Sequence, residues 1–383
     1  MSANGAPPQI FEPHSTLRET DPDVGLFTVL REDGSTDPAN DPKIPGHVLL
    51  AGYRHVRRLR ILDARMIVLQ RQGRVGFYGA CTGQEAVPIA TGLVAHEDDW
   101  VFPALREQSV MLVRGFPLDA FVAQVFGNSG DAARGRQMPS HQSGRAVNQV
   151  SWSSCIGPQI PQAVGCAMAM KQKKTRSIAF GFTGDGATSQ PDFHAAMEFA
   201  AKFQAPVVLI CQNNHWSISV PTARQTASKT IAVKGRAYGM KSVRVDGNDL
   251  LAVYKVLGDA AARARTGEGP TFVEALTYRI GAHSTSDDPT RYRSDAEVEA
   301  WKRKDPVDRL AKHLRYLGAI DDASEKRLDD ELAEEIGAVI KRVEAMPQPE
   351  RTSLFQDVYA ALPWSLEAQR AELAKHPPAP THG

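Results

Sequence analysis

The sequence predicts an α/β protein with a doubly wound, mostly parallel sheet, an N-terminal arm and C-terminal helices. The chain has 383 residues, of which 42% are apolar and 23% are charged, and this composition is typical of globular proteins. Through the middle of the chain, short apolar runs of strand length alternate with helical patterns. That alternation is typical of βαβ units, in which helices cover both faces of a parallel sheet.

The chain begins with a segment that has no regular hydrophobic pattern. Residues 1–45 are rich in Pro, Asp, Gly and Ser, so we expect an extended arm. From residue 47 to 72 apolar side chains recur every three or four positions, which predicts a long amphipathic helix that stops at Gly73. We therefore expect an arm at 1–45, an α/β domain at 46–294 and a helical segment at 295–383.

Four apolar runs predict the strands of the sheet, and helical patterns lie before, between and after them. The predicted strands are 177–182, 206–211, 242–245 and 271–277. The predicted helices in the α/β part are 84–95, 117–126, 158–172, 190–203, 229–238 and 249–265. The charged patterns that follow predict helices at 295–317, 322–345 and 352–375.

Charge and hydropathy exclude two classes of partner. Lysine and arginine total 45 and aspartate and glutamate total 44, so a net charge of +1 argues against nucleic-acid binding as the main activity. Apolar runs such as 206–211 are much shorter than the roughly 18 residues that a membrane span needs. We therefore expect neither a nucleic acid nor a membrane as partner.

The cysteines and the N-terminal composition suggest a compartment. Cys166 and Cys211 lie in apolar stretches, which predicts small core residues in a reducing environment. The first 25 residues contain four acidic side chains and several prolines, so they lack both the apolar region of a signal peptide and the acid-poor composition of a transit peptide. The expected location is the cytoplasm.

The most informative motif is a Gly-Asp-Gly segment that is paired with an Asn-Asn segment. A predicted strand ends in Gly184-Asp185-Gly186 just before a helix, and Asn213-Asn214 close the next strand. One βα crossover fits the gap, so both strand ends should border the same crevice, where ligands bind in open α/β sheets. A lone Gly-Asp-Gly is as typical of a tight turn, but the paired Asn-Asn favours a binding site.

The residue types in this motif suit magnesium and a diphosphate. Glycines let a diphosphate approach the backbone, and helix N-termini offer amides to phosphate. Mg²⁺ needs only one or two carboxylates when phosphates complete its coordination. Asp185 can supply a carboxylate oxygen, Asn214 a side-chain carbonyl and Trp216 a backbone carbonyl to one ion.

This pair of motifs is typical of thiamine-diphosphate enzymes, and the likeness extends over residues 45–365. The chain resembles the α subunits of the decarboxylase component of 2-oxo acid dehydrogenases, which implies the thiamine-diphosphate-binding fold. Within that family, Tyr278-Arg279-Ile280-Gly281 followed by the loop 283–288 is most similar to the branched-chain enzymes. The other matching segments are 83–86 (Gly-Gln-Glu-Ala), 100–103 leading to Arg106, 135–139, 159–165, 245–249 and 292–294.

The resemblance implies a role for each matching site residue. Thiamine diphosphate and Mg²⁺ are the implied cofactors, and His283 is the implied catalytic residue that protects and protonates intermediates. The implied magnesium ligands are Asp185, Asn214 and the carbonyl of Trp216. The implied cofactor-binding residues are Leu105, Arg106, Ser154, Ile156, Gly184, Asp185, Gly186, Ala187, Gln212, Asn214 and His283, and Phe77 and Leu105 are the implied substrate-pocket residues.

Four positions depart from the family pattern, and one of them is Ala282, which stands where relatives have a histidine before His283. Leu105 stands where a tyrosine is usual, which predicts a less polar pocket, and Gln212 stands where mammalian-type relatives have an arginine directed to the diphosphate. Pro158 replaces a threonine that helps to bind a structural potassium ion in some relatives, which puts that monovalent site in doubt.

The chain offers one strand–Gly-Asp-Gly–helix unit, whereas activation of the cofactor in this family also needs a glutamate from a second α/β domain on a β subunit. The resemblance thus implies an α₂β₂ heterotetramer that decarboxylates a branched-chain 2-oxo acid and transfers the acyl group to a lipoyl-bearing acyltransferase core. Two alternatives remain open. They are the corresponding pyruvate or acetoin enzyme and a scaffold that holds the cofactor without turnover.

Overall fold

Five parallel strands form the central sheet of the computed structural model, which describes residues 25–376. The spatial order is β1-β2-β3-β7-β6, and every neighbouring pair is parallel. The predicted α/β class and mostly parallel sheet are thus confirmed. The strands of this sheet are β1 (Trp100–Phe102), β2 (Ala179–Gly184), β3 (Val207–Asn213), β6 (Lys241–Asp246) and β7 (Thr271–Leu276), and a separate antiparallel pair is formed by β4 (Trp216–Ser217) and β5 (Val220–Pro221).

Helices precede, connect and follow these strands. The strands β2 and β3 are joined through α6, and β6 and β7 are joined through α8, as the alternating pattern predicted. The helices are α1 (Gly46–Arg71), α2 (Ala86–Val94), α3 (Gln108–Val113), α4 (Leu118–Phe126), α5 (Gln159–Gln172), α6 (Pro191–Phe203), α7 (Ala232–Ala237), α8 (Leu250–Thr266), α9 (Asp295–Lys302), α10 (Pro306–Tyr316), α11 (Asp322–Glu344) and α12 (Trp364–Ala374).

Side chains that alternate along the strands divide the core between the two faces of the sheet. Phe180 and Phe182 of β2 belong to a buried cluster that includes residues of α1, α2, α8 and α10. Ala179 of β2 and Leu209 of β3 belong to a second cluster, which α5 and α6 cover. Because both of their faces are buried, β2 and β3 are largely apolar, as parallel strands in the middle of a sheet require, whereas the edge strand β6 is more polar.

The C-terminal helices pack on these same layers. The predicted helix at 295–317 is divided into α9 and α10, because Asp305 caps α10 by accepting from the amides of Val307 and Asp308 and Pro306 occupies its first turn. Helix α10 contributes Leu310 to the core on one face of the sheet, and α11 packs against α1 and α4. The boundary at 294 and 295 remains a prediction.

Part of the predicted arm is attached to the sheet edge. Phe27 forms a parallel bridge with Val245 of β6. The backbone amides of Val29 and Leu30 donate to the buried Asp249 carboxylate, at 2.7 and 2.6 Å. Residues 1–24 of the predicted arm lie outside the described residues. Within residues 25–376, no helix is both long enough and apolar enough to cross a membrane.

Candidate functional site

Four neighbouring strands bring the predicted polar residues to one edge of the sheet. In the register of β2 and β3, Gly184 lies opposite Gln212, so Asp185 and Asn214 follow the two strands at nearly the same level. Arg106 follows β1, and His283 follows β7, which is the next strand beyond β3. The carboxyl ends of parallel strands meet at one edge, and that edge is where open α/β sheets bind ligands.

Asp185 is a buried carboxylate that other side chains support. It is 2% exposed, and its Oδ2 accepts from Thr222 Oγ1 at 2.9 Å and from Gln225 Nε2 at 3.1 Å. Burial raises the pKa of Asp185 to about 6, whereas these two donors and the nearby Arg279 act in the opposite direction. A cation bound at this carboxylate would also favour its charged form.

Asn214 and Trp216 present oxygen atoms beside this carboxylate's strand end. Asn214 Nδ2 donates to Gln84 Oε1 at 2.9 Å, and Asn214 Oδ1 accepts from the backbone amide of Trp216 at 3.1 Å. The carbonyl of Trp216 accepts from Arg279 Nη1 at 3.4 Å, which uses one of its two lone pairs.

The three predicted magnesium ligands fit a metal that brings its own phosphates. Carboxylate, amide and backbone carbonyl oxygens are hard donors of the kind that Mg²⁺ prefers. In the described part of the chain, no group of three or more His, Cys, Asp or Glu side chains is arranged to hold a metal ion. A protein-only metal cage is therefore not available there, whereas one carboxylate with phosphate oxygens is the usual magnesium arrangement.

The two glycines of the motif differ in their surroundings. A Cβ added to Gly184 would have no atom within 4 Å, so open space lies beside this backbone. A Cβ added to Gly186 would lie 2.2 Å from Ser217 Oγ, because β4 packs closely there. Gly184 thus leaves room for a ligand, whereas Gly186 permits the contact with the hairpin. Ala187 follows in the short 3-10 helix Gly186–Ser189 and is buried.

Two buried guanidinium groups lie beside His283. Arg106 Nη2 donates to the carbonyl of His283 at 2.7 Å, and its Nη1 donates to the carbonyl of Ala80. Arg279 donates to the carbonyl of Ile218 at 2.7 Å and contacts His283 Nδ1 at 3.4 Å. Buried positive charges with carbonyl partners favour the binding of an anion such as a diphosphate.

His283 is a neutral imidazole in these surroundings. Burial, Arg106 and Arg279 lower the pKa of His283 to about 4, although Asp287 acts in the opposite direction. Burial is the largest cause of this lowered pKa, and the two guanidiniums add to it. Since Arg279 donates to Nδ1, the ring proton lies on Nε2.

Gln212 is directed to a carboxylate. Its Nε2 donates to Glu107 Oε1, and Glu107 Oε2 accepts from the backbone amides of Ala104 and Arg106 at 2.7 and 3.1 Å. The pair is buried and supports the turn that carries Leu105 and Arg106. The structure therefore gives Gln212 a contact that stabilises the turn. The expected cofactor contact of Gln212 remains a prediction.

Ser154 and Ile156 follow a segment that runs parallel to β1. Gln149 bridges to Val101 in the parallel sense, so the chain after it continues toward the carboxyl end of β1. Ile156 is 61% exposed, and Ser154 is exposed with its Oγ 2.7 Å from His141 Nε2. No hydrogen bond of the described residues joins either side chain to Asp185.

Leu105 and Phe77, the two predicted substrate residues, are both half-buried. Leu105 lines a pocket of about 180 Å³, open space at its mouth included, and Phe77 does not. The expected less polar substrate pocket stays a prediction, and the other walls of this cavity combine apolar and polar side chains. Its lining residues are Pro103, Ala104, Leu105, Glu107, Gln108, Ser140, Gln142, Gln149 and Trp152.

Sequence reasoning gave no role to four residues that contact the predicted ligands. Gln84 belongs to a segment that carried the family resemblance, and Arg279 belongs to another. Thr222 and Gln225 lie 37 and 40 residues after Asp185, and no motif marks them. Only the fold of the β4–β5 hairpin brings these last two back to the carboxylate.

Comparison with known proteins identifies the family. The family model described as "Dehydrogenase E1 component" matches residues 53–352. The chain is 41% identical over 374 residues to "2-oxoisovalerate dehydrogenase subunit alpha 1, mitochondrial" of Arabidopsis thaliana, with 96% of this chain and 78% of the relative covered. It is 38% identical over 355 residues to the alpha subunits of that name from Bos taurus and Homo sapiens, with 92% of this chain and 78% and 80% of the relatives covered.

The chain belongs to the dehydrogenase E1 component family, the decarboxylase components of 2-oxo acid dehydrogenases. Membership of this family implies dependence on thiamine diphosphate, as the motifs predicted. The predicted family is confirmed.

The predicted cytoplasmic location is wrong on this comparison, because the relatives named above are mitochondrial subunits. The prediction was based on an acidic N-terminal segment and on cysteines that were expected to be buried and reduced. A globular composition and buried thiols are common to proteins of more than one reducing compartment, so they do not select the cytoplasm.

We predict that alanine at the two motif glycines will give different defects. Gly184→Ala should keep the stability of the fold, because its Cβ meets no atom, but should weaken thiamine diphosphate binding by filling the open space. Gly186→Ala should lower the thermal unfolding midpoint, because its Cβ overlaps Ser217. Thermal unfolding and calorimetric titration of both variants test this, and unchanged cofactor affinity in Gly184→Ala would contradict it.

Proposed function

We propose that this chain is the α subunit of a thiamine-diphosphate-dependent dehydrogenase that oxidatively decarboxylates branched-chain 2-oxo acids. The observation that carries the proposal is the meeting of Asp185, Asn214, Arg106 and His283 at adjacent strand ends. The names of the relatives support the choice of substrate, because each is a 2-oxoisovalerate dehydrogenase alpha subunit.

Magnesium is the proposed metal of the site. Asp185, Asn214 and the carbonyl of Trp216 would hold it against the diphosphate, for which the backbone at Gly184, Gly186 and Ala187 would leave space. The guanidiniums of Arg106 and Arg279 would balance the negative charge that the phosphates bring. Thiamine diphosphate, when bound, supplies the carbon that attacks the 2-oxo group and the ring that takes up the electrons released with CO₂.

His283 is the proposed catalytic residue of this chain. Its neutral ring carries the proton on Nε2, so that atom can donate a hydrogen bond toward the reacting centre. Both backbone polar groups of His283 form hydrogen bonds. The amide donates to the Asp287 carboxylate at 2.7 Å, and the carbonyl accepts from Arg106. Together these contacts position His283 at the start of the loop 283–288.

The proposed assembly is an α₂β₂ heterotetramer that passes its acyl group to a lipoyl-bearing acyltransferase core. The relatives are named as alpha subunits, which implies a β partner. We assign residues 46–294 to the cofactor-binding domain, with the arm at 1–45 and the helical segment at 295–383 flanking it. Ser154 and Ile156 are exposed in the single chain, which suits residues that a bound cofactor or a partner would cover.

The first prediction of this proposal concerns assembly. Because the activating glutamate is expected on the β subunit, the isolated chain should release negligible CO₂ from any 2-oxo acid. Addition of the cognate β subunit should restore turnover, measured by CO₂ release or by reduction of a dye acceptor. Robust turnover by the isolated chain would contradict the two-subunit arrangement.

The second prediction concerns the metal. In the α₂β₂ assembly, Asp185→Ala should weaken magnesium-dependent thiamine diphosphate binding by more than about 100-fold, since even residues behind a metal ligand change affinity 10- to 100-fold. Asp322→Ala is the control, because the side chain of Asp322 is 97% exposed on α11. Calorimetry should show normal affinity for the control, and normal affinity for Asp185→Ala would remove the magnesium assignment.

The third prediction concerns substrate choice. The reconstituted assembly should have a higher kcat/KM for 3-methyl-2-oxobutanoate and 4-methyl-2-oxopentanoate than for pyruvate, by roughly 10- to 200-fold per methylene that the pocket accepts. A dye acceptor removes the need for the lipoyl partner. Leu105→Tyr should change the ratio between the acids, because it places a hydroxyl beside unpaired oxygens of Gln108, Ser140 and Gln149.

An equal or higher kcat/KM for pyruvate would favour the pyruvate enzyme and leave the thiamine assignment intact. No turnover of any 2-oxo acid with the β subunit present would favour a scaffold that only holds the cofactor. An unchanged ratio in Leu105→Tyr would remove residue 105 from the substrate site.

A further inference from the structure

The side chain of Asn214 can bind a cation with only one of its two ends. A primary amide carries an oxygen that accepts and an NH₂ group that donates, and the two ends have nearly the same shape. A 180° turn about χ2 would present the NH₂ group to a cation in place of the oxygen. A residue that fixes this turn therefore decides whether Asn214 is a ligand.

Two contacts fix the orientation of the Asn214 amide. Its Nδ2 donates to Gln84 Oε1 at 2.9 Å, and its Oδ1 accepts from the Trp216 amide at 3.1 Å. After a 180° turn, the oxygen would face the oxygen of Gln84 and the NH₂ group would face the N–H of Trp216. Both hydrogen bonds would be replaced by unfavourable contacts, so the present orientation is strongly preferred.

The backbone that carries Gln84 is fixed by close contacts with neighbouring segments. It is 1% exposed, and its backbone amide donates to the carbonyl of Cys81 at 2.8 Å. The preceding Gly83 has φ +92° and lies so close to the carbonyl of Tyr278 that a Cβ would be 2.4 Å from it. Thr277 Oγ1 also donates to the carbonyl of Gly83 at 2.9 Å.

The nitrogen of the Gln84 side-chain amide forms no hydrogen bond that would account for the position of this side chain. Its Nε2 is buried and has no hydrogen-bond partner within residues 25–376. Among the described residues, the bond that Gln84 Oε1 accepts from Asn214 is therefore the one hydrogen bond that the Gln84 side chain forms.

We propose that Gln84 is a positioning residue that keeps the oxygen of Asn214 directed to the magnesium ion. The inference rests on the proposed function, because it assumes that Asn214 is a metal ligand. Gln84 acts through Asn214 and needs no contact with the metal. The property that matters is an acceptor oxygen at the end of residue 84, so glutamate should replace glutamine and leucine should not.

The test measures metal affinity in the α₂β₂ assembly with saturating thiamine diphosphate. Mn²⁺ binding, followed by electron paramagnetic resonance, and Mg²⁺ titration calorimetry report the site without turnover. Gln84→Leu, which keeps the size but loses the acceptor, should weaken metal binding roughly 10- to 100-fold. Gln84→Glu, which keeps an acceptor for Asn214 Nδ2, should restore affinity close to that of the unchanged chain.

A matched control separates positioning from a general loss of packing. Gln124 is equally buried, and its amide exchanges two hydrogen bonds with Ser143 at 3.1 and 2.7 Å. Gln124→Leu should lower the thermal unfolding midpoint but leave metal affinity unchanged. If Gln84→Leu keeps full metal affinity, or if Gln84→Glu is as weak as Gln84→Leu, the inference is wrong.

The outcome for Asp185→Ala distinguishes this inference from the proposed function. If Asp185→Ala loses metal binding while Gln84→Leu keeps it, the magnesium site stands and only the role of Gln84 is wrong. If Asp185→Ala itself keeps magnesium-dependent binding, the metal assignment is wrong and the role of Gln84 falls with it.

Discussion

The arrangement of the site depends on the parallel register of four adjacent strands. Because β1, β2, β3 and β7 run in the same direction, the residues that follow them emerge at one edge of the sheet. Residues as distant in sequence as Arg106 and His283 thereby come within hydrogen-bonding distance, at 2.7 Å. A shift in strand pairing would move Asp185 relative to Asn214, and both faces of the sheet are buried, so such a shift would disrupt two apolar layers at once. The packing of the core thus fixes the geometry of the polar edge.

The charged groups at this edge of the sheet influence one another's protonation. Burial disfavours the charged forms of Asp185, Arg106 and Arg279 alike, so each pKa moves toward neutrality. Arg279 remains a cation at neutral pH even with its pKa lowered to about 10. Burial and the same positive charges lower the pKa of His283 and keep its ring neutral. A metal at Asp185 with an anion near the guanidiniums would relieve the cost of burying all three groups. The electrostatics of the site therefore favour the binding of a ligand that combines a cation with a multiply charged anion.

The sequence predicted the repeating parts of the fold well and the irregular parts poorly. The strands β2, β3, β6 and β7 have six or seven residues, a length that a sequence pattern can reveal, whereas β1 has only three residues and no apolar run predicted it. The division of the 295–317 helix was marked by Asp305 and Pro306, but the charged pattern obscured that signal. The predicted ligands Asp185 and Asn214 do follow adjacent strands. Their supports Thr222 and Gln225 come from a hairpin whose position depends on tertiary contacts, which a single sequence does not reveal.

Gln212, which the family resemblance places where some relatives have an arginine, contacts a buried carboxylate. Glu107 is fully buried and accepts hydrogen bonds from two backbone amides and from Gln212, so its carboxylate is satisfied without an ion pair. An arginine at position 212 would place a cation beside this carboxylate, and the pair would then share charge with any diphosphate nearby. With glutamine there, the charge that faces the anion comes from Arg106 and Arg279 instead. Because Glu107 also accepts from the amide of Arg106, Gln212 supports the turn that carries Arg106. The glutamine therefore brings no charge of its own but helps to place the charge of Arg106.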